Sequence, residues 1–236
     1  CTPVPLIFTV VNPEGWDESK APIIFLHGVT ASKEYWFDIP KTVADMTKRK
    51  AYVVDSRNHG DSPWTNELNS DLNVADLLNF MDYINVPKAI IVGHSMGGAT
   101  AFALAFKEPQ RIEKLVIEDV SIGAFPEHVI AGLRHKVLMS SKALEVLPTH
   151  LNIMQARDFI ANYVFESLPP EAKRVVHYDI NTFVLKEINK GRYAFKTNMK
   201  ALTQALEDPK NLSVEPTGVY EGPVCIIYGE KSPFKM

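Results

Sequence analysis

The chain has 236 residues, room for one large α/β domain with a buried core of its own. Apolar residues make up 46% and charged residues 22%, a globular balance that excludes intrinsic disorder, collagen-like repeats and coiled coil. With 25 Lys and Arg against 28 Asp and Glu the net charge is −3, so there is no basic footprint for nucleic acid. Cys1 and Cys225 cannot build a disulfide framework, a CxxC pair or a zinc site, and an intracellular, reducing setting is expected. No apolar run is long enough to cross a bilayer, and nothing resembles a nucleotide loop or a metal cluster, so no cofactor is expected.

Strand-like and helix-like stretches alternate, which predicts a mostly parallel sheet flanked by helices. Residues 6–11 read as a strand, and 22–26 as a short buried strand closed by His27-Gly28. A helix is expected over 34–48, then a buried strand over 51–54 ending at Asp55. In the next helix, 71–84, Val74, Leu77, Leu78, Met81 and Ile84 form one apolar stripe, with Asp76, Asn79 and Asp82 off that face. Pro87 marks a turn before a third core strand, 89–92, which feeds Gly93-His94-Ser95-Met96-Gly97-Gly98. A helix then runs to about Lys107, Pro109 ends it, and residues 115–120 supply another strand.

From Ser121 to Thr197 the periodicity becomes helical, as in Ile153, Ala156, Ile160 and Val164. A block of that length between two sheet strands is too long for a simple loop. Residues 121–197 are therefore expected to form a helical cap serving as a lid, closed by a short ribbon that turns at Lys190-Gly191-Arg192. The flanking segments 1–120 and 198–236 form the two parts of the core, the second with a helix over 198–206 and a last core strand over 223–228. The chain opens without an initiator Met and stops soon after that strand, so missing sequence is expected at both ends.

Gly93-His94-Ser95-Met96-Gly97 fits the nucleophile-elbow pattern, and a buried strand before it with a helix after it is the context that gives the pattern meaning. A serine at so sharp a turn has a strained backbone, and side chains two residues to either side would collide, hence Gly93 and Gly97. The amide of Met96, at the start of the helix, is one expected oxyanion donor, and that of Val29, after His27-Gly28, is the second. His27 and His94 read as structural, the first bonding its own loop and the second a spacer in the elbow. Asp55 reads as a loop organiser.

Phe25-Leu26-His27-Gly28, Asp55-Ser56-Arg57-Asn58-His59-Gly60-Asp61-Ser62-Pro63 and Gly93-His94-Ser95-Met96-Gly97-Gly98 resemble the α/β-hydrolase superfamily. The middle motif, with Ala201-Leu202-Thr203-Gln204, is similar to that of small bacterial esterases and the eukaryotic abhydrolases related to them. The resemblance implies an α/β-hydrolase fold and hydrolysis of carboxylic esters, acyl or lipid, through an acyl-enzyme on Ser95. In eukaryotes it also implies a mitochondrial address. Many members carry an acidic residue three positions after the glycine that ends the post-cap strand, and here that position is Ser232, with Glu230 beside it. The related bacterial esterases instead place the acid after the strand next to the elbow helix, with a serine at the later position. That pairing points to Asp119, with Ser232 as a secondary acid-site residue.

The resemblance places the catalytic histidine on a loop after one further strand. None of His27, His59, His94, His128, His135, His150 or His177 lies there, so the last strand and helix of the fold are expected to be missing from this chain. A serine without its imidazole is a poor nucleophile, which leaves a truncated, non-catalytic binding protein of the same fold as the alternative. Ser95 excludes dehalogenases and epoxide hydrolases, which need an aspartate at the elbow, while perhydrolases and carbon–carbon bond hydrolases share the serine triad and stay open. The sequence leaves open the acyl chain, the alcohol and the oligomeric state.

Overall fold

A computed structural model describes residues 2–232. Strands and helices alternate through β1 (Phe8–Val11), β2 (Ile23–Leu26), α1 (Ile39–Thr47), β3 (Ala51–Val54), α2 (Ser70–Tyr83), β4 (Ala89–His94), α3 (Met96–Lys107) and β5 (Ile112–Glu118). Next come α4 (Glu127–Glu145), α5 (Ile153–Glu166), the single turn α6 (Pro170–Lys173) and the ribbon β6 (Leu185–Asn189) and β7 (Arg192–Phe195). The described part ends with α7 (Met199–Glu207) and β8 (Val224–Ile227). The main sheet has the order β1-β3-β2-β4-β5-β8, parallel throughout except for the antiparallel β1–β3 pair.

The inner strands are buried on both faces because helices cover both. Ile24, Leu26, Val54, Ile91 and Ile117 pack with Leu77, Phe80 and Leu104 of α2 and α3. Ile23, Phe25 and Val53 face the other way, onto Trp36 and Ala44 of α1 and the turn before it. Each such side chain contributes about 2 kcal/mol by leaving water. This packing fixes the C-terminal ends of β2, β4 and β5 side by side, where ligands of open α/β sheets bind.

Three features depart from the sequence reading. The helix expected over 34–48 is split into a 3-10 turn, Lys33–Trp36, and α1, with Phe37 at φ +48 between them. Pro40 has no N–H to return to Trp36 and stops the two pieces from joining. Asp76, expected off the apolar face of α2, is 1% exposed. Its carboxylate takes two bonds from Arg57, Nε at 2.6 Å and Nη2 at 2.8 Å, and one from the Val4 amide at 2.8 Å. The strand β8, expected in the core, pairs among the described residues with β5 alone and is exposed along its length, Cys225 included.

The segment between β5 and α7 adds no strand to the main sheet and carries an apolar cluster of its own, with Ala143, Ile160, Val164, Phe183, Tyr193 and Phe195. Its α5 begins with a capping box in which Asn152 and Gln155 bond each other's backbone amides. The ribbon turns at Gly191, φ +71, where the sequence places a turn. Its exit is fastened to the loop after β3: the Asn198 amide donates to the Asn58 carbonyl at 2.8 Å and Lys196 pairs with Asp61 at 2.7 Å. Among the described residues no helix is long and apolar enough to cross a membrane.

Candidate active site

Ser95 sits between β4 and α3 at φ +50, ψ −113, a left-handed conformation that is strained for a residue with a Cβ. The surroundings hold it there. A Cβ on Gly93 would stand 2.5 Å from the Gly97 carbonyl carbon, and one on Gly97 would stand 2.6 Å from that of Leu26. Neither position admits a side chain, so the elbow can close only with glycine at both. The Ser95 amide donates to the Glu118 carbonyl at 2.9 Å, tying the elbow to the end of β5.

Two loops converge on the serine. Gly28, after β2, lies so close that a Cβ there would meet Ser95 Cβ at 3.2 Å and His94 Nδ1 at 2.7 Å. The next residue, Val29, is half-buried and packs in the cluster that contains Met96. Among the described residues no acceptor takes the amide hydrogen of Val29 or of Met96. From the end of β5, Asp119 adopts φ +57, with its amide donating to the Ile227 carbonyl at 2.8 Å. The hydroxyl of Ser232 donates to Asp119 Oδ1, so the two residues of the acid-site pairing are in contact. The structure thus brings Ser95, Met96 and Val29 together, and Asp119 with Ser232. Glu230, the other acid considered, forms no ion pair among the described residues.

The remaining motif residues support this frame. Asp55 is wholly buried and accepts from the Lys33 amide at 2.6 Å, Lys33 Nζ at 2.7 Å and the Asp61 amide at 2.9 Å. Gly60, at φ +55, wraps the Asp55 carboxylate so closely that no side chain fits there. Desolvation pulls the Lys33 ammonium down, but Asp55 and Asp61 outweigh it and hold the group above the ordinary lysine value. Asp61, bonded by Lys196 and Lys33, is lowered to about 2.

His27 and His59 are fully buried. His27 Nε2 accepts from the Ser56 amide at 3.0 Å, which leaves the proton on Nδ1, donated to the Gly28 carbonyl at 2.7 Å. It is a loop-organising residue, as read from the sequence. Burial lowers His27 to about 4 and His59 to about 3. Both are therefore neutral at pH 7, whereas in the unfolded chain they titrate near 6.5. As pH falls below 6.5 the unfolded state takes up protons first, so stability drops, by about 2 kcal/mol per imidazole at pH 5. Urea midpoints measured at pH 7, 6 and 5 should fall in that order. Midpoints that stay level across this window, above the range of most carboxylates, would contradict neutral burial.

His94 stacks on Tyr35, with ring centroids 4.7 Å apart. Burial lowers its pKa against the pull of Glu118, Asp119 and Asp179. Among the described residues no histidine hydrogen-bonds the Ser95 hydroxyl: His27 and His59 hold backbone, and His135 bonds Ser167. His128, His150 and His177 are exposed. Two neighbours escaped the sequence reading. One is Tyr35, which has no motif of its own. The other is Lys136, which shares a buried face of α4 with Ser140 and Ala143 at i, i+4 and i+7, and that spacing was its one signal.

A family model described as alpha/beta hydrolase fold matches residues 21–234. The chain is 28% identical to the sn-1-specific diacylglycerol lipase ABHD11 of Danio rerio, over 99% of this chain and 69% of that protein. It is 30% identical to the Mus musculus protein of the same name, over 98% of this chain and 71% of that one. A solved marine microorganism esterase superposes with a TM-score of 0.73 at 24% identity, covering 96% of this chain and 81% of that one, which is a likeness of fold. A parallel sheet whose fourth strand ends in a glycine-flanked, left-handed serine, matched along nearly its whole length by that family model, leaves one assignment: the chain belongs to the α/β-hydrolase fold family.

Proposed function

We propose that this chain is a serine hydrolase of carboxylic esters, in which Ser95 attacks the ester carbonyl and carries the acyl group. The observation that supports it best is the strained Ser95, held at φ +50 beneath the Gly28 loop with two amides beside it that no acceptor among the described residues engages. As the carbonyl becomes tetrahedral, its oxygen takes negative charge, and the Met96 and Val29 N–H groups would receive it without reorganising. Such a donor is worth about 10²-fold to 10³-fold in turnover.

The hydroxyl must lose its proton, and the chemistry calls for an imidazole oriented by a carboxylate. We assign the carboxylate to Asp119, steadied by Ser232; no histidine among the described residues bonds the Ser95 hydroxyl. The base returns the proton to the leaving alcohol, and water then releases the acid by the reverse sequence of transfers. Residues 121–197 would act as the lid over the site. The relatives named as diacylglycerol lipases favour an acyl-lipid ester as the substrate class.

A second reading, a non-catalytic binding protein of the same fold, is favoured by the lack of an imidazole on Ser95 among the described residues. Asp119→Asn in the full-length protein separates the two. The enzyme reading expects ester turnover that falls about 10⁴-fold, as loss of the orienting carboxylate does in a serine triad. The binding reading expects no turnover before or after the substitution. Turnover undiminished by the change would remove Asp119 from the mechanism.

A further inference from the structure

The turn that carries Val29 contains a misfit. The Ala31 amide donates to the Gly28 carbonyl at 3.2 Å, closing a four-residue turn, and Thr30 occupies its third position at φ +66. That position of a turn ordinarily takes Gly or Asn, because a side chain branched at Cβ is strained there. A conformation of this kind persists only where surrounding contacts impose it.

Those contacts come from the insertion. Lys136 of α4, 8% exposed, reaches out of its helix and donates from Nζ to Thr30 Oγ1 at 3.0 Å and to Thr182 Oγ1 at 2.6 Å. The ammonium lies over the ring of Phe183, 4.4 Å from its centroid, and 5.6 Å from that of Tyr178. Thr197, at the end of the insertion, donates to the Thr30 carbonyl at 3.4 Å. Among the described residues Lys136 has no carboxylate within ion-pair distance, although Asp179 lies near enough to act on its charge. Burial brings the amine down to about 7, against the pull of Asp179. A buried amine with no carboxylate within ion-pair distance is costly to keep for stability alone.

We propose that Lys136 is a positioning residue, which holds the strained Gly28–Ala31 turn from the insertion side and so fixes the Val29 amide against Ser95. This rests on Val29 being an oxyanion donor. The lysine bonds the one side chain in the turn whose backbone needs outside support, and the turn is the piece of the core that lies against the nucleophile. Packing of the insertion on the core and completion of the oxyanion site are thereby a single event.

The test uses Lys136→Met, Thr30→Val and the pair Thr30→Gly and Thr30→Gly/Lys136→Met in the full-length protein. Three quantities are read: exchange of the Ala31 amide hydrogen, kcat against KM for a soluble acyl ester, and melting temperature. Lys136→Met should speed Ala31 exchange about tenfold. It should lower kcat about 10²-fold, the scale of a small displacement of a reacting group, with KM and melting temperature held. Thr30→Val removes only the acceptor and should reproduce both effects, which keeps the test open if the lysine variant does not fold. In the Thr30→Gly background the backbone adopts φ +66 freely, so adding Lys136→Met should change neither exchange nor kcat.

Unchanged Ala31 exchange in Lys136→Met and Thr30→Val, or an equal loss with glycine at position 30, overturns the proposal. Exchange altered as expected in a protein with no ester turnover before substitution overturns the link to the oxyanion, and with it the hydrolase reading, while leaving the hold on the turn in place.

Discussion

Replacing Ser95 with alanine is expected to lower kcat for ester hydrolysis by the full-length protein about 10⁶-fold, the cost of losing the nucleophile in a serine hydrolase. The melting temperature should not fall. The wild-type serine adopts φ +50 under compulsion, and its backbone bonds, from the Ser95 amide to Glu118 and from the Ala99 amide to the Ser95 carbonyl, survive the change. The lost hydroxyl has no hydrogen-bond partner among the described residues, so alanine orphans nothing. A pure loss of turnover, measured as kcat beside an unchanged thermal transition, separates a nucleophile from a structural serine. A tenfold effect, or a variant that loses both activity and fold, would remove Ser95 from that role.

Arg57→Met carries the largest expected loss of stability. Arg57 and Asp76 face each other with side chains 2% exposed, and among the described residues the Val4 amide is the one further donor on the carboxylate. Deleting the guanidinium strands a buried charge, at about 3–5 kcal/mol. For a chain of this size that is roughly a 10 °C fall in melting temperature. Arg57→Met/Asp76→Leu, with both charges gone, should recover most of it, since a buried pair replaced by apolar groups is often close to neutral. A double variant as unstable as the single one would show that Arg57 acts through something other than Asp76. The loss should reach the site as well. Arg57 lies in the turn that begins at Asp55, and Asp55 holds the Lys33 end of the loop bearing Val29.

What the sequence made legible follows from the range of the forces involved. The elbow is local: two glycines, a serine and a following helix are fixed by steric contacts within five residues and the adjoining strand end, so Gly93 to Gly97 could be read directly. Asp119 was reached through the resemblance, which sets the acid after the strand next to the elbow helix, and its contact with Ser232 joins positions far apart in the chain. Asp76 was misread because an apolar stripe treats every charge beside it as solvent-facing, while its partner Arg57 lies 19 residues earlier in a different element. The break at Phe37 was signalled by Pro40 but outweighed by the apolar pattern around it. Lys136 was missed for the same reason as Asp76. A lysine on a helix reads as exposed until the Thr30 turn and the Phe183 ring are seen to close around it.

The most direct measurement is mass spectrometry of the full-length protein after reaction with a fluorophosphonate, which modifies a serine activated by a general base and backed by oxyanion donors. An adduct is expected on the peptide containing Ser95, absent from Ser95→Ala and formed more slowly by Asp119→Asn. A Ser95 peptide that stays unmodified, or an adduct on another serine, would contradict the assignment of the nucleophile and everything built upon it.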